Sequence, residues 1–204
     1  MFKLIALVII LYLIFDTLLD FIIPGYLIYD IEAVLTLHPE TLEKGDKLLM
    51  IGFYDSKTKK YDYCIAPNFR KFKRLAKQRP IVIGFNSESF DDRICHENGI
   101  TVKTTYDIYR LVREAAKLQA GHREIKGYNL DTLGKVNFGE GKLKDGRNII
   151  ELWTSGDQEG LINYCLQDVR ITVLLWQNRR KLVDPNSQVI LNLQKLIDQK
   201  SKNA

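Results

Sequence analysis

The chain has 204 residues, 46% of them hydrophobic, so it is long enough for one domain with a filled core and too short for two ordinary domains. The formal net charge is +5, yet six cations and no acid lie between Arg70 and Arg79, which leaves −1 for the other residues. Such local basicity is more typical of a phosphate-contacting patch than of a uniformly basic protein. Cys64, Cys95 and Cys165 are widely spaced and have no histidine at zinc-ligand spacing, which argues against a zinc site and favours a reducing compartment.

Residues 1–24 form an apolar leader that ends at Pro24 and the glycine after it. Two interpretations stay open: a helix that associates with a membrane through residues 2–23, or a helix packed on the rest of the protein. Lys3 precedes the apolar run and the next cation is Lys44. The positive-inside rule would therefore place the remainder outside the cytoplasm, in conflict with the reducing compartment that the cysteines favour.

The pattern after the leader predicts strands that come first as a meander and then alternate with helices. The predicted strands cover residues 26–31, 47–54, 61–66, 81–85 and 101–105. The predicted helices cover a segment near 69–76 and residues 87–98, 107–119, 130–136 and 158–181, with a loop at 139–147. We therefore expect an α/β fold with a mixed sheet and helices on both faces, built from residues 25–183, and a helical tail at 184–204.

The first acidic patch is the pair Asp30 and Glu32, at the end of an apolar strand. Side chains alternate along a strand, so the two acids share one face and are about 6.6 Å apart along the chain. Two like charges held this close need a cation to neutralise them. Taken alone, the pair also fits a chance Asp-x-Glu at a strand end.

The second acidic patch follows the strand predicted at 81–85. Asn86 comes directly after the strand, and Phe90 and Asp91 lie about one helical turn further on. A helix beginning there would present Asp91 where the helix dipole favours an anion. Glu88 and Asp92 are competing acids, and a helix cap with solvated acids is the ordinary alternative.

The third patch lies on the long helix predicted at 158–181. Tyr164 and Asp168 are four residues apart, so they share a helix face and can approach one site. The ordinary alternative is a buried tyrosine beside a solvated aspartate.

Together, in this order and spacing, the three patches resemble the DEDDy branch of the ribonuclease-H-like 3′–5′ exonucleases, which includes polymerase proofreading domains and ribonuclease D. Only Asp91 among the acids of its patch fits the spacing of Asn, three residues, Phe and Asp. The resemblance covers about residues 26–180. The stretches at 127–134 and 139–142 are similar to the branch close to family B DNA polymerase exonuclease domains.

The resemblance implies a ribonuclease-H-like fold with a five-stranded mixed sheet and a two-metal active site. Asp30, Glu32, Asp91 and Asp168 would ligate two divalent ions, Mg²⁺ or Mn²⁺, and Tyr164 would orient the attacking water. Asn86 and Phe90 would contact the 3′-terminal nucleotide, with the ring of Phe90 as a packing surface; ordinary core packing is the alternative for this ring. These assignments come from the resemblance and not from spacing alone.

The activity implied is metal-dependent 3′–5′ exonucleolytic hydrolysis of phosphodiester bonds in single-stranded or frayed DNA or RNA. Two alternatives stay open, an inactive nucleic-acid-binding module of the same fold and a membrane-tethered scaffold. A cytoplasmic location is expected, with membrane association through the leader left open. The sequence departs from the family pattern at Ala33, where Thr is more frequent, and in its leader. The basic run from Arg70 to Arg79 fits either phosphate contact or a solvated helix face.

Overall fold

The computed structural model describes residues 25–34, 47–124, 126–143 and 149–202. The leader predicted for residues 1–24 lies outside these ranges, as do residues 35–46 between the first two strands. In the ranges described, none of the helices combines the length and apolar character needed to cross a membrane.

A five-stranded mixed sheet forms the centre of the fold, as predicted. Its strands are β1 (Tyr26–Val34), β2 (Lys47–Asp55), β3 (Lys60–Ile65), β4 (Ile81–Gly84) and β5 (Tyr106–Asp107). The spatial order is β3-β2-β1-β4-β5. The first three strands are an antiparallel meander, and β4 and β5 continue the sheet parallel to β1. A separate hairpin pairs β6 (Leu182–Val183) with β7 (Ile190–Leu191).

Helices cover both faces of the sheet, also as predicted. They are α1 (Arg70–Gln78), α2 (Asp91–Glu97), α3 (Ile108–Gln119), α4 (Leu130–Phe138), α5 (Ile149–Thr154), α6 (Gln158–Gln177) and α7 (Leu193–Lys202). Alternation along β1 divides the core: Leu27 and Tyr29 pack with α1 and α2, whereas Ile28 packs with α3, α4 and α6. The apolar residues of α7 belong to this second cluster.

Three local predictions differ from the structure, and two short features were not predicted. The helix predicted from residue 87 begins at Asp91, because the Asp107 carboxylate accepts the backbone N–H groups of Asn86 and Glu88 at 2.9 and 3.1 Å and holds a turn there. No strand forms at 101–105, and the two-residue strand β5 lies directly after this range. The helix predicted to reach residue 181 ends at Gln177, where Asn178 caps the Leu174 carbonyl. Helix α5 and the β6–β7 hairpin had no clear sequence signal, since each is short.

Candidate metal centre

Strand β1 supplies the first two acids at its carboxyl end. Glu32 is 8% exposed, and Asp30 is partly exposed although protein atoms surround it on most sides. The pairing with β2 shifts register directly after Glu32, so both acids lie in the regular part of the ladder just before this irregularity. One ligand atom from each of Asp30, Glu32 and Cys165 lies within 4.8 Å of the other two.

Helix α2 supplies the third acid at its first residue. Asp91 is 4% exposed, and a hydrogen bond from the backbone of Ile31 places its carboxylate against β1 between the first two acids. The competing acids of this patch have other partners. Asp92 accepts hydrogen bonds from Tyr29 at 2.5 Å and from the Thr104 backbone at 2.9 Å. Glu88, the other competitor, pairs with a cation of α3.

Helix α6 supplies Asp168, which is 3% exposed, and the partly exposed Tyr164. The helix lies very close to β2 at Gly52, the residue directly opposite Asp30 in the ladder. A Cβ at Gly52 would lie 2.8 Å from the Cys165 sulfur, so a side chain there would push the helix away. Cys165 also donates to the backbone carbonyl of Asp30 at 3.7 Å. Glycine therefore permits the approach that brings Asp168 to the other acids.

The four carboxylates crowd one another, and their pKa values rise accordingly. Burial and then the charge of Asp168 raise the pKa of Glu32 to about 8, and burial raises the pKa of Asp91 to about 7. Burial, followed by the charges of Asp168, Asp91 and Glu32, holds the pKa of Asp30 well above its usual range. The pKa of Asp168 is also raised by burial, with partial relief from Lys142. Unfavourable charge repulsion is therefore concentrated beside the carboxyl-terminal half of the central strand β1.

Lys142 is the main residue of the site that the sequence interpretation missed. Its Nζ lies 2.5 Å from Asp168 Oδ2 and 5.8 Å from the centroid of the Tyr164 ring. The surrounding acids raise its pKa, so the side chain stays cationic. The other Asp168 oxygen, Oδ1, is buried and has no hydrogen-bond partner in the described structure. In the sequence, the only indication that Lys142 belongs to the site was the similarity of residues 139–142 to the exonuclease family.

Three contacts fix the segment that carries Lys142. The backbone N–H of Lys142 donates to Asp131 at 2.9 Å, and the Gln167 side chain donates to the Gly141 carbonyl at 3.1 Å. Arg170 pairs with Glu140 at 3.0 Å. Gln167 and Arg170 flank Asp168 on α6, so the segment and the acid that it neutralises are held by the same helix.

Cys165 is the second residue missed. Burial, and then the charges of Asp30 and Glu32, raise the pKa of its thiol well above the usual range. Without a cation the thiol is therefore protonated, and it packs against Gly52 and the Asp30 backbone. Most of the donors near a cation in this cluster are carboxylate oxygens, with the Cys165 sulfur beside those of Asp30 and Glu32.

A cavity of about 480 Å³ opens on two of the four acids, Asp30 and Asp168, and is also lined by Tyr164, Lys142, Asn86 and Phe85, among others. Asn86 is exposed and adopts a positive φ of 62°. Phe90, in contrast, packs against the core cluster that contains Leu27. Phe85 contributes an aromatic ring to this cavity beside that of Tyr164, a position that the sequence interpretation did not single out.

The basic run predicted as a phosphate-contacting patch is divided by the structure. Arg79 forms two hydrogen bonds to the buried Asp55, at 2.7 and 2.8 Å, at the end of the sheet opposite the acids. Lys71 pairs with Asp62 on β3. Lys71 is exposed and fits the solvated-face alternative, whereas Arg79, with 14% of its side chain exposed, is part of a mostly buried ion pair and fits neither interpretation.

Comparison with known proteins gives information on the fold. No protein-family model and no curated protein matches the chain. Among solved structures, the fold is similar to a family B DNA polymerase from the hyperthermophilic archaeon Pyrobaculum calidifontis, with a TM-score of 0.55 and 22% identity. The match covers 76% of this chain and 24% of the polymerase chain. At this identity the similarity shows the fold alone, and the mixed sheet fits a ribonuclease-H-like fold.

Proposed function

We propose that the protein is a metal-dependent 3′–5′ exonuclease of the DEDDy type, acting on single-stranded or frayed DNA or RNA. One observation carries the proposal: four buried or half-buried carboxylates from β1, α2 and α6 converge, although burial raises the pKa of each and the charges of Asp168 and Asp91 raise those of the two β1 acids further. A binding groove for phosphate gains nothing from such a cluster, since the acids would repel the backbone. A cation site explains why the acids are kept together.

The donor set fits two hard divalent cations, Mg²⁺ or Mn²⁺. Asp30, Glu32, Asp91 and Asp168 offer carboxylate oxygens, which such ions prefer. The buried and unpartnered Oδ1 of Asp168 provides a free ligand position. When bound, two such ions would supply an activated water and would stabilise the charge that develops on the attacking and leaving oxygens.

The residues of the chain bind and orient the substrate in this proposal. Tyr164 hydrogen-bonds the attacking water through its hydroxyl, and Lys142 adds a positive charge on the acidic side of the cavity. Asn86 and Phe85 line the part of the cavity that receives the terminal nucleotide, and Phe90 supports the turn before α2. Water adds to the phosphorus, the bond from phosphorus to the 3′ oxygen breaks, and a nucleoside 5′-monophosphate leaves.

The domain division predicted from the sequence is part of the proposal. Residues 25–183 would form the exonuclease domain, residues 184–204 its helical tail and residues 1–24 a leader whose membrane association stays a prediction. Leu193, Leu196 and Ile197 pack in the same core as α3 and α6, so the tail should be retained in any protein prepared for assays.

Degradation of a 5′-labelled oligonucleotide with Mg²⁺ and with EDTA tests the activity. We expect the parent protein to produce a ladder of products shortened from the 3′ end with Mg²⁺ but not with EDTA. The Asp168→Asn variant should produce no ladder. Binding without degradation would favour the inactive module. Parallel DNA and RNA substrates would assign the preferred sugar.

A further inference from the structure

A second cavity, on the exposed side of α3, lies beside the cavity lined by Asp30 and Asp168, which we call the catalytic cavity. Its volume is about 550 Å³, and we call it the α3 cavity, lined by Asn86, Tyr109, Arg113 and Lys117 among others. We propose that the α3 cavity binds the sugar–phosphate backbone of the nucleotides next to the terminal one. This inference rests on the proposed function, because it assigns a further subsite to the same substrate.

The acids that line this cavity are already neutralised or buried. Glu88 pairs with Arg110 at 2.8 Å, and Glu114 pairs with Lys200 at 3.0 Å. Asp107 is 4% exposed, and its carboxylate accepts backbone N–H groups of the neighbouring turn and of the first turn of α3. These acids therefore add little net negative charge to the surface of the cavity.

Two cationic side chains of α3 have no carboxylate partner among the described residues. Arg113 and Lys117 form no ion pair within the described part of the chain, and the Nε of Arg113 is buried without a hydrogen-bond partner. The Arg113 guanidinium carbon lies 5.1 Å from the centroid of the Tyr109 ring. Tyr109, Arg113 and Lys117 are spaced four residues apart and form one stripe, with a rise of roughly 6 Å per step. Such a stripe can follow a chain of phosphates.

The stripe is continuous with the catalytic cavity. Asn86 lines both cavities, and its backbone N–H donates to Asp107, the residue before α3, at 2.9 Å. Phe85 lines the catalytic cavity, and its ring lies 5.5 Å from that of Tyr109. Aromatic rings beside a line of cations are the arrangement by which proteins hold single strands without reading sequence. An acidic peptide would use the cations but not the rings, so the observations favour a nucleic-acid strand.

The test compares a double variant, Arg113→Ala with Lys117→Ala, on two substrates. For an oligothymidylate of about 12 nucleotides, we expect Kd and KM to rise roughly tenfold and the slope of log Kd against log salt to fall by about 1.4, the value for two lost single-strand phosphate contacts. The p-nitrophenyl ester of thymidine 5′-monophosphate has no preceding nucleotide, so its hydrolysis should not change. Thermal melting checks that the variant is folded.

The matched control is Lys60→Ala with Lys103→Ala, which removes two exposed cations that line neither cavity, one on the far edge strand β3 and one ahead of β5. This control should keep the parental Kd and salt slope. An unchanged Kd and slope in the α3 variant would overturn the inference, as would equal competition by polyglutamate. Oligonucleotide binding is measured in EDTA, so the subsite can be scored even if the parent protein hydrolyses neither substrate, an outcome that would refute only the proposed activity.

Discussion

Lys142 Nζ lies 2.5 Å from Asp168 Oδ2, so the chain itself supplies one positive charge to its acidic cluster. The lysine lowers the pKa values of Asp30, Glu32 and Asp168 and occupies one oxygen that a metal ion could use. Its effect on metal binding therefore has two opposite parts. At low pH it keeps the acids ionised, and at high pH it competes with the ion.

Replacing this lysine should make metal binding more dependent on pH. Lys142→Met should weaken Mn²⁺ binding near pH 6, because the acids hold their protons more firmly, and should strengthen it near about pH 9, where the acids are ionised and a competitor is gone. Titration calorimetry at both pH values measures the change. Lys135→Met is the control, since Lys135 pairs with Asp131 at 2.6 Å and not with the cluster. Equal affinities for parent and Lys142→Met at both pH values would contradict the assignment.

The raised pKa values also predict how the stability of the metal-free protein depends on pH. The pKa of Glu32 is about 8 in the folded protein and that of Asp91 about 7, against roughly 4 in the unfolded chain. Between these values the folded state binds more protons than the unfolded state, so stability falls as pH rises. In EDTA, the melting temperature should therefore fall between about pH 5 and about pH 8 because of these groups.

Glu32→Gln isolates this contribution, because the amide is close in shape but does not titrate. Its melting temperature at about pH 8 should exceed that of the parent by a few degrees, roughly the effect of 1 kcal/mol in a chain of this size. At about pH 3 the difference should disappear, since the parent acid is then protonated in both states. A variant that follows the parental curve throughout would show that Glu32 is not electrostatically strained.

Tyr164→Phe tests the proposed role of the hydroxyl. The change keeps the ring against Lys142 and leaves the carboxylates in place, so metal affinity should be preserved. The turnover number should fall, by about 10²-fold if the hydroxyl positions the attacking water. Single-turnover kinetics at saturating Mn²⁺ separate the chemical step from binding. A loss confined to substrate affinity would assign the tyrosine to binding.

Gly52→Ala should damage the site from a distance. The added methyl group would lie 2.8 Å from the Cys165 sulfur, so α6 must shift or the core must strain, at a cost of about 1–3 kcal/mol. Both melting temperature and exonuclease rate should fall. Adding Cys165→Ala removes the clashing sulfur and should restore part of both losses. Losses that simply add in the double variant would show that this contact does not position the helix.

The acids on β1 could be predicted from sequence because strand alternation places i and i+2 on one face. That reasoning requires only local geometry, and the structure brings one oxygen of each acid close together. Asp91 was distinguishable from Asp92 only by family spacing. The structure adds a physical reason, since Asp92 is bound to Tyr29 and the Thr104 backbone on the far side of the helix start.

The residues that sequence reasoning missed depend on contacts between distant segments. Lys142 has no periodicity or motif of its own, and its position follows from bonds to Asp131 and α6. Cys165 looked like an ordinary apolar residue, and its role follows from the close approach to Gly52. The segment that begins at Asn86 looks like a helix start in sequence. It forms a turn instead, because its backbone N–H donates to Asp107, and that acceptor, 21 residues away, is not visible to local sequence reasoning.

Anomalous scattering from Mn²⁺-soaked crystals tests the central claim most directly. We expect two peaks about 4 Å apart, bounded by oxygens of Asp30, Glu32, Asp91 and Asp168, with Lys142 displaced from Asp168. Crystals that show ordered Mn²⁺ elsewhere but none among these four carboxylates would contradict the account.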